Sequence, residues 1–441
     1  MNRVVITTLG CKVNQYESAA FQTGFIEAGF TIAKNGEPAD LVVINTCAVT
    51  ARAGAQSRQA VRQALRANPE ARIIITGCYV EIGEKELSTM DELAGRSHAI
   101  IGNSKKDHLV ANAAAKEDAL QQRLLGTIAA AREICNLPVD QFGERTRAYL
   151  RVQDGCNSYC TYCIVPFTRG PSRSLAQAEA LTQAERFAAG GYREIVITGI
   201  HLGFYGRDLS PACDLTDLLD RLTAATPKIR YRISSLEPTE ISERLLGLMA
   251  RRDNIMPHLH IPLQSGDDEI LARMNRHYST ADFAGVIDRC RAHLADCALG
   301  IDILVGFPGE SEAHFRRSRE FIEAIDCTYL HVFPYSRRPG TAAANFVDQV
   351  PKAVKDERVA ILRAISDRKR DAFYLSQLGR TLPVLVEGRR DRQGLLQGYT
   401  DNYVPVHFQG PDSLHHRLVD VLLTKHDGPY VSGEVREPNE R

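Results

Sequence analysis

Cys156, Cys160 and Cys163 form a C-x3-C-x2-C pattern in Asp154-Gly155-Cys156-Asn157-Ser158-Tyr159-Cys160-Thr161-Tyr162-Cys163, just after a strand-like run. A cubane iron–sulfur cluster has four irons, normally held by four thiolates, so three close cysteines hold three irons and leave the fourth open to a small chelating molecule. A structural zinc asks for a fourth Cys or His, which the loop itself lacks although folding could bring one. Three inert buried thiols are the remaining alternative, and this spacing on a glycine-containing loop speaks against it. The cluster is the preferred reading.

Three more cysteines lie at comparable places. Cys11, Cys47 and Cys78 each close an apolar run, in Thr8-Leu9-Gly10-Cys11, Asn45-Thr46-Cys47 and Thr76-Gly77-Cys78. In a parallel α/β sheet all strand C-termini open on one edge, so cysteines roughly thirty residues apart can converge there. Any one of them alone reads as a buried, inert thiol. All three together favour a second cluster, with Gly10 and Gly77 letting the backbone turn closely around it. Cys135, Cys213, Cys290, Cys297 and Cys327 share no such placement and read as packing or surface thiols.

The elements that must position these residues follow from hydrophobic periodicity. Val4–Thr7, Leu41–Ile44 and Ile73–Thr76 are continuous apolar runs of doubly buried parallel strands, with helix-period stretches at 15–28, 52–67 and 81–94. This predicts an open parallel α/β sheet over 1–115, followed by a polar connecting stretch near 112–130. Strand candidates at 148–152, 193–198, 229–235, 257–263, 299–305 and 328–334 alternate with helices and predict a partial (βα)6 barrel over 142–372, with chemistry at the strands' C-terminal ends. A charged helix near 352–377 leads to five short strands separated by Gly, Pro and Asp, a small β-barrel over 376–439. The class is α/β throughout the two larger units.

The chain has 441 residues and a net charge of zero, so a nucleic-acid partner has to be held by local basic surface. No apolar run is long enough to span a membrane and the first residues lack a signal-peptide layout, which predicts a cytoplasmic protein without membrane attachment. In that compartment eleven cysteines are metal ligands or free thiols rather than disulfides. No Ser–His–Asp, Walker A or HExxH pattern offers a hydrolytic alternative.

The loop from Cys156 to Cys163, with Tyr162 before its last cysteine, resembles the signature of the radical S-adenosylmethionine (SAM) superfamily. The resemblance implies that a [4Fe-4S] cluster on these cysteines binds SAM and cleaves it to a 5′-deoxyadenosyl radical. It places the backbone at Tyr162 against adenine, Thr198 and Gly199 at the amino group, Ser234 to Glu237 near the ribose, and Gly306 in a Gly-x-Ile-x-Gly-x-x-Glu segment running from Gly300 to Glu310.

The N-terminal unit, the central barrel and a TRAM-like tail together resemble the methylthiotransferases, whose N-terminal cysteines hold an auxiliary [4Fe-4S] cluster. Gly10-Cys11-Lys12-Val13-Asn14-Gln15-Tyr16-Glu17-Ser18, with Val152–Cys156 and Gly199–Gly203, resembles most the branch acting on threonylcarbamoyladenosine in tRNA (MtaB type). The implied reaction puts a methylthio group on C2 of that base at position 37, in a tRNA anticodon stem-loop, with a low-potential electron donor of unknown identity. The C2–H is neither acidic nor open to ordinary electrophiles, which is why a radical is needed. The alternatives are isopentenyladenosine tRNA, a ribosomal protein side chain or, in another class, a non-catalytic iron–sulfur RNA-binding protein. For RNA contact, Arg58, Arg62 and Arg66 recur every four residues in a stretch without acids and read equally as a phosphate-binding or a solvated face. Arg337-Arg338 is a weaker candidate, and Tyr399 or Phe408 of the tail could stack on bases. The tail has one more acidic than basic residue, which argues against a strong electrostatic role.

Overall fold

The computed structural model describes every residue except Met1, Asn35, 116–120 and 437–441. The chain opens with β1 (Arg3–Thr8), α1 (Lys12–Glu27), β2 (Thr31–Ile32), β3 (Leu41–Thr46), α2 (Ala51–Ala67), β4 (Arg72–Gly77), α3 (Cys78–Ser88), β5 (His98–Ile101), α4 (Leu109–Ala114) and β6 (Gln121–Leu124). The strands form one parallel sheet in the order β2-β1-β3-β4-β5-β6. Alternation along each strand splits its side chains between two layers. Val4, Leu41, Val43 and Ile74 meet Phe21 and Phe25 of α1, while Val5, Val42, Ile44, Ile73 and Ile75 meet Val61 and Leu65 of α2 and Val80 of α3. β6 adds a strand inside the stretch expected to be a polar connector. Its Gln122 and Arg123 carry no apolar signal, and only pairing with β5 makes it a strand.

The first core layer does not stop at the sheet. Tyr16, Phe21 and Phe25 of α1 belong to the same buried cluster as Leu150, Phe187 and Ile197 of the central unit, so α1 is sandwiched between two sheets. That unit comprises β7 (Ala148–Arg151), a ribbon of β8 (Gln153–Asp154) and β9 (Arg173–Ser174) around α5 (Val165–Arg169), then α6 (Gln177–Ala189), β10 (Glu194–Thr198), α7 (Leu215–Ala225), β11 (Arg230–Ile233), α8 (Glu243–Arg251), β12 (His258–Gln264), α9 (Asp268–Arg273), α10 (Thr280–His293), β13 (Ala298–Val305), α11 (Glu312–Ala324) and β14 (Tyr329–Pro334). β7, β10 and β11 pair in parallel, as do β12, β13 and β14. A parallel bridge between Tyr231 and Ile255 joins the two trios into one six-stranded arc. The six strands fall where the apolar runs placed them.

α12 (Lys352–Ser376) packs along β14 and leads into a closed barrel of β15 (Thr381–Arg390), β16 (Leu396–Thr400), β17 (Pro405–Phe408), β18 (Leu418–Asp427) and β19 (Tyr430–Val435). Phe408 is 2% exposed, packed with Val384, Leu396 and Val406 in the barrel core. It cannot stack on a base, and that expectation is corrected: alternation along β17 turns its ring inward. The Tyr399 ring lies outside that core, stacked on Tyr403 at 4.7 Å with the Arg147 guanidinium 5.1 Å from its centroid.

Charge fixes the barrel to the central arc. The carboxylate of Glu194, fully buried in β10, meets Arg147 at 2.7 Å, Arg232 at 2.9 Å and Arg230 at 3.4 Å. Arg232 then donates to the carbonyls of Thr400 and Asp401, and Arg230 to that of Pro383. Burial opposes ionisation of Glu194, but the guanidiniums of Arg232, Arg147 and Arg230 outweigh it and hold the carboxyl well below the usual range. Glu194→Ala leaves three buried cations short of their counter-ion and should lower unfolding free energy by about 3–5 kcal/mol. A depressed carboxyl contributes stability above its unfolded pKa of about 4.3 and loses it as pH falls further. The gap between wild type and variant in urea melts should therefore narrow on acidification; a pH-independent gap, or one under about 1 kcal/mol, would contradict the assignment.

Candidate active site

The N-terminal triad is built by register. Thr8 pairs with Asn45 and Thr46 with Gly77, so the three strands end level and the next residues emerge on one edge. Cys11 is the N-cap of α1, Cys47 follows β3, and Cys78 opens α3 with no linker after β4. Two helix N-termini thus point partial positive charge at sulfur. Gly77, at φ +98°, is required here: a Cβ would lie 2.4 Å from the Thr46 carbonyl oxygen. Asn14 donates to the carbonyls of Leu9 and Thr46, and Ser57 Oγ accepts from the Cys47 N–H at 3.1 Å, which fixes two of the loops.

Buried charge surrounds this triad. Arg169 of α5 donates from Nε to Cys78 Sγ at 3.2 Å and from a terminal nitrogen to Glu17 at 2.5 Å. Glu17 also pairs with Lys106 and Arg151, and Asp154 meets Arg169 at 3.3 Å and Arg173 at 3.4 Å. Two carboxylates therefore face four cations, all almost fully buried, and the surplus positive charge adjoins the thiols. Burial raises the Cys11 and Cys47 thiols, and the Arg169 guanidinium opposes that rise.

The second triad sits on the loop between β8 and α5. Gln153 staples it to the end of β10, donating to the Gly155 carbonyl at 2.7 Å and accepting from the N–H groups of Ile200 and His201. Cys156 Sγ is 3.3 Å from His201 Nδ1, and Cys160 Sγ accepts from Arg276 at 3.4 Å. Burial opposes the charged imidazole of His201, but hydrogen bonds to Cys156 and Glu240 lift it to about 9. Burial pushes the Cys163 thiol up to about 12. α5 starts two residues after Cys163 and ends on Arg169, so five residues connect the two triads.

Both triads fit iron–sulfur clusters better than zinc. Tetrahedral zinc brings its sulfurs within about 3.8 Å of one another, from bonds of about 2.3 Å. Among the described residues, His260, Asp302 and His331 are the one trio of His, Cys, Asp or Glu whose ligand atoms all lie within 4.8 Å. Neither cysteine triad closes so tightly, even though folding brings His201 to Cys156. Wide-set sulfurs flanked by cations suit a bulky anionic group, and a cluster on three thiolates retains an open iron.

A cavity of about 770 Å³ lies between the units, lined by Lys12 of the first, Arg232, Ser234 and His260 of the arc, and Glu387 and Tyr403 of the barrel. A second, of about 370 Å³, shares Lys12, His258, His260 and Tyr403 and reaches His331 and Tyr374. Of the residues expected to contact SAM, Tyr162 and Glu237 lie beside the second triad. Tyr162 packs against Phe307 at 6.5 Å, and Glu237 pairs with Arg276 at 2.6 Å, so both lie beside the arginine that touches Cys160. Thr198 is buried at the end of β10, Gly199 presses on Gln153, and Ser234 opens on the larger cavity. Gly306, at φ +69°, donates to Glu310 at 2.9 Å and backs onto Lys355.

The arginine stripe on α2 is less free than its spacing implied. Arg58 pairs with Glu86 at 3.2 Å and Arg62 with Glu92 at 3.0 Å, while Arg66 has no ion pair within 4 Å among the described residues. Arg338 is buried against Gly54, and Arg337 donates to the Ala344 carbonyl, so neither is a loose cation. Cys290, Cys297 and Cys327 are core residues; Cys135 lies against the Asn103 carbonyl and Cys213 behind Gly206. Sequence reasoning assigned no role to Arg169, His201, Arg276, Glu17 or Lys106, although Glu17 and His201 lie inside the segments Gly10–Ser18 and Gly199–Gly203 that carry the family resemblance. For Arg169 the available signal was proximity, since it follows Cys163 by six residues. In protein whose Cys156, Cys160 and Cys163 are all Ala, Arg169→Met should at least halve the iron retained after anaerobic reconstitution, with unchanged circular dichroism. Equal iron would reduce Arg169 to a structural cation.

Three families match successive parts of the chain: "Uncharacterized protein family UPF0004" over residues 3–96, "Radical SAM superfamily" over 150–322 and "TRAM domain" over 375–435. The threonylcarbamoyladenosine tRNA methylthiotransferase MtaB of Bacillus subtilis is 37% identical over 98% of this chain and 96% of its own. The enzyme of that name from Aquifex aeolicus is 35% identical over 96% and 100%. A tRNA-2-methylthio-N(6)-dimethylallyladenosine synthase of Thermoanaerobacter is 33% identical over 98% and 92%. Among solved structures, the radical SAM methyltransferase TsrM of Kitasatospora setae, with cobalamin and a [4Fe-4S] cluster bound, superposes with a TM-score of 0.55 at 16% identity, covering 78% of this chain and 77% of its own. That likeness concerns fold alone. Among the described residues no helix is long and apolar enough to cross a membrane. The protein is an enzyme whose cofactors are an iron–sulfur cluster and SAM, and with likeness spanning nearly the whole of each relative, it belongs to the radical SAM tRNA methylthiotransferase family.

Proposed function

We propose that the protein adds a methylthio group to C2 of N6-threonylcarbamoyladenosine at position 37 of tRNA, using one [4Fe-4S] cluster on Cys156, Cys160 and Cys163 and a second on Cys11, Cys47 and Cys78. The observation that carries this reading is the short link of α5 between the two triads, in a chain whose three units also share one cavity. When bound, the clusters and SAM would supply a carbon-centred radical able to remove an unactivated hydrogen, together with the sulfur and methyl carbon transferred.

The chain's own residues do the rest. Burial opposes a thiolate at Cys156, but His201, held by Glu240, lowers that thiol; burial raises the Cys160 thiol, and Arg276, held by Glu237, offsets part of that rise. Arg169 donates a hydrogen bond to Cys78 Sγ. Ser234 and Lys12 stand on the same cavity, so SAM at the strand ends and a base below the first sheet can meet there. The anticodon stem-loop would reach the cavity across the barrel, where Tyr399 and Tyr403 form a stacked aromatic pair next to Arg147. A low-potential donor would deliver electrons.

Mass spectrometry of tRNA nucleosides tests the reading. Deleting the gene should remove 2-methylthio-N6-threonylcarbamoyladenosine and leave its unmethylthiolated precursor. Loss of the dimethylallyl nucleoside instead, or no change in tRNA with loss of a modified ribosomal protein, would overturn it. In vitro, Cys11, Cys47 and Cys78→Ala together should still yield 5′-deoxyadenosine from SAM but no methylthio nucleoside. Methylthiolation at the wild-type rate would make the N-terminal triad structural.

A further inference from the structure

Most cations lining the two cavities are already committed. Arg147 and Arg232 neutralise Glu194, and Arg147 also reaches Glu387 of the barrel. His260 is paired with Asp302 at 2.7 Å, and His258 shares a hydrogen bond of 2.7 Å with the Tyr329 hydroxyl. Lys12, Lys34 and Arg389 have no ion pair among the described residues, and of these three Lys12 alone lines both cavities. Its ammonium also makes no hydrogen bond among the described residues. It is an exposed residue on the wall common to the two cavities, and its charged neighbours are Arg232, Cys11 and Asp302. A cation in a protein-lined cavity, with another cation beside it, favours an anionic occupant.

The relatives' names supply two contrasting substituents on the same base nitrogen. Threonylcarbamoyl ends in a carboxylate, whereas dimethylallyl is a neutral hydrocarbon. N6 and C2 flank N1 on one edge of adenine, so a group that grips the N6 substituent presents C2 on the same side. Lys12 is bonded in sequence to Cys11, whose triad lies on that side of the cavity.

We propose that Lys12 is the carboxylate-binding subsite of the cavity: its ammonium receives the threonyl carboxylate and so selects the acidic nucleoside over the apolar one. The inference rests on the substrate reading above and adds the residue that enforces it. Lys12 is a specificity-determining contact to substrate, distinct from the cations that hold the triads.

The test uses reconstituted wild type, Lys12→Gln and Lys12→Arg with two anticodon stem-loops, one carrying the threonylcarbamoyl group and one its neutral methyl ester. Iron per chain is the control for triad assembly. Wild type should favour the acid by at least about tenfold in kcat/KM and in the Kd read by fluorescence anisotropy, the order expected of one charge-assisted hydrogen bond. Lys12→Gln should bring the acid-to-ester ratio close to one, chiefly through KM, and Lys12→Arg should restore part of it. An unchanged ratio in Lys12→Gln, or equal losses on both stem-loops, would overturn the subsite while leaving the substrate reading intact. Wild type that methylthiolates neither stem-loop would overturn the substrate reading, and the subsite with it.

Discussion

Glu17 lies on the first helix and Arg169 on the short helix after the second cysteine triad, and their contact is sealed from water. The N-terminal sheet unit and the second triad's loop are joined through that contact. Arg169 reaches Cys78 with one nitrogen and the Glu17 carboxylate with others, while Lys106, Arg151, Arg173 and Asp154 complete the charge balance. A buried network of this kind is weak evidence for net stability but strong evidence for geometry, because losing one member strands the others at a cost of several kcal/mol. It holds the edge of one sheet at a set distance and angle from the strand ends of another. For chemistry in which a radical formed at one site must meet sulfur held at another, relative position is what the protein has to supply.

A second charge network performs the same service at the opposite ends of the strands. Glu194 holds Arg230 and Arg232 against the barrel's backbone carbonyls, so the barrel is anchored by directional bonds as well as by the apolar contact of Phe373 and Tyr374 with its core. The cavity lies between these two networks. Its walls come from all three units, which explains why the lining is polar and why a spare ammonium there carries information about the substrate.

The elements were legible where physics leaves a periodic trace. Doubly buried strands such as Leu41–Ile44 and Ile73–Ile75 read as unbroken apolar runs, and the cysteines that follow them read as a set because each closes such a run. α1 and α3 begin at Lys12 and Cys78, earlier than the apolar period implied, because their first residues serve the site and not the core. β6 was invisible because its pairing partner, not its composition, makes it a strand. Phe408 was misread because an aromatic on a small barrel can face either way, and the alternation with Val406 decides it. Arg169, His201 and Arg276 had no legible role for a different reason: their partners Asn14, Glu240 and Cys160 lie from 39 to 155 residues away, and no local pattern records that. The arginines at 58, 62 and 66 show the converse, a clean local pattern whose charge is largely answered by Glu86 and Glu92 from elsewhere in the chain.

The proposal that two iron–sulfur clusters sit close together rests on α5 and on Arg169 with its partners. Electron paramagnetic resonance of the fully reduced protein addresses it directly, because two paramagnetic clusters at close range split and broaden each other's signals. The account predicts a spin-coupled spectrum that collapses to a single, uncoupled cluster signal when either cysteine triad is replaced by alanine. A wild-type spectrum equal to the plain sum of the two triad variants would place the clusters too far apart for this arrangement and contradict the account.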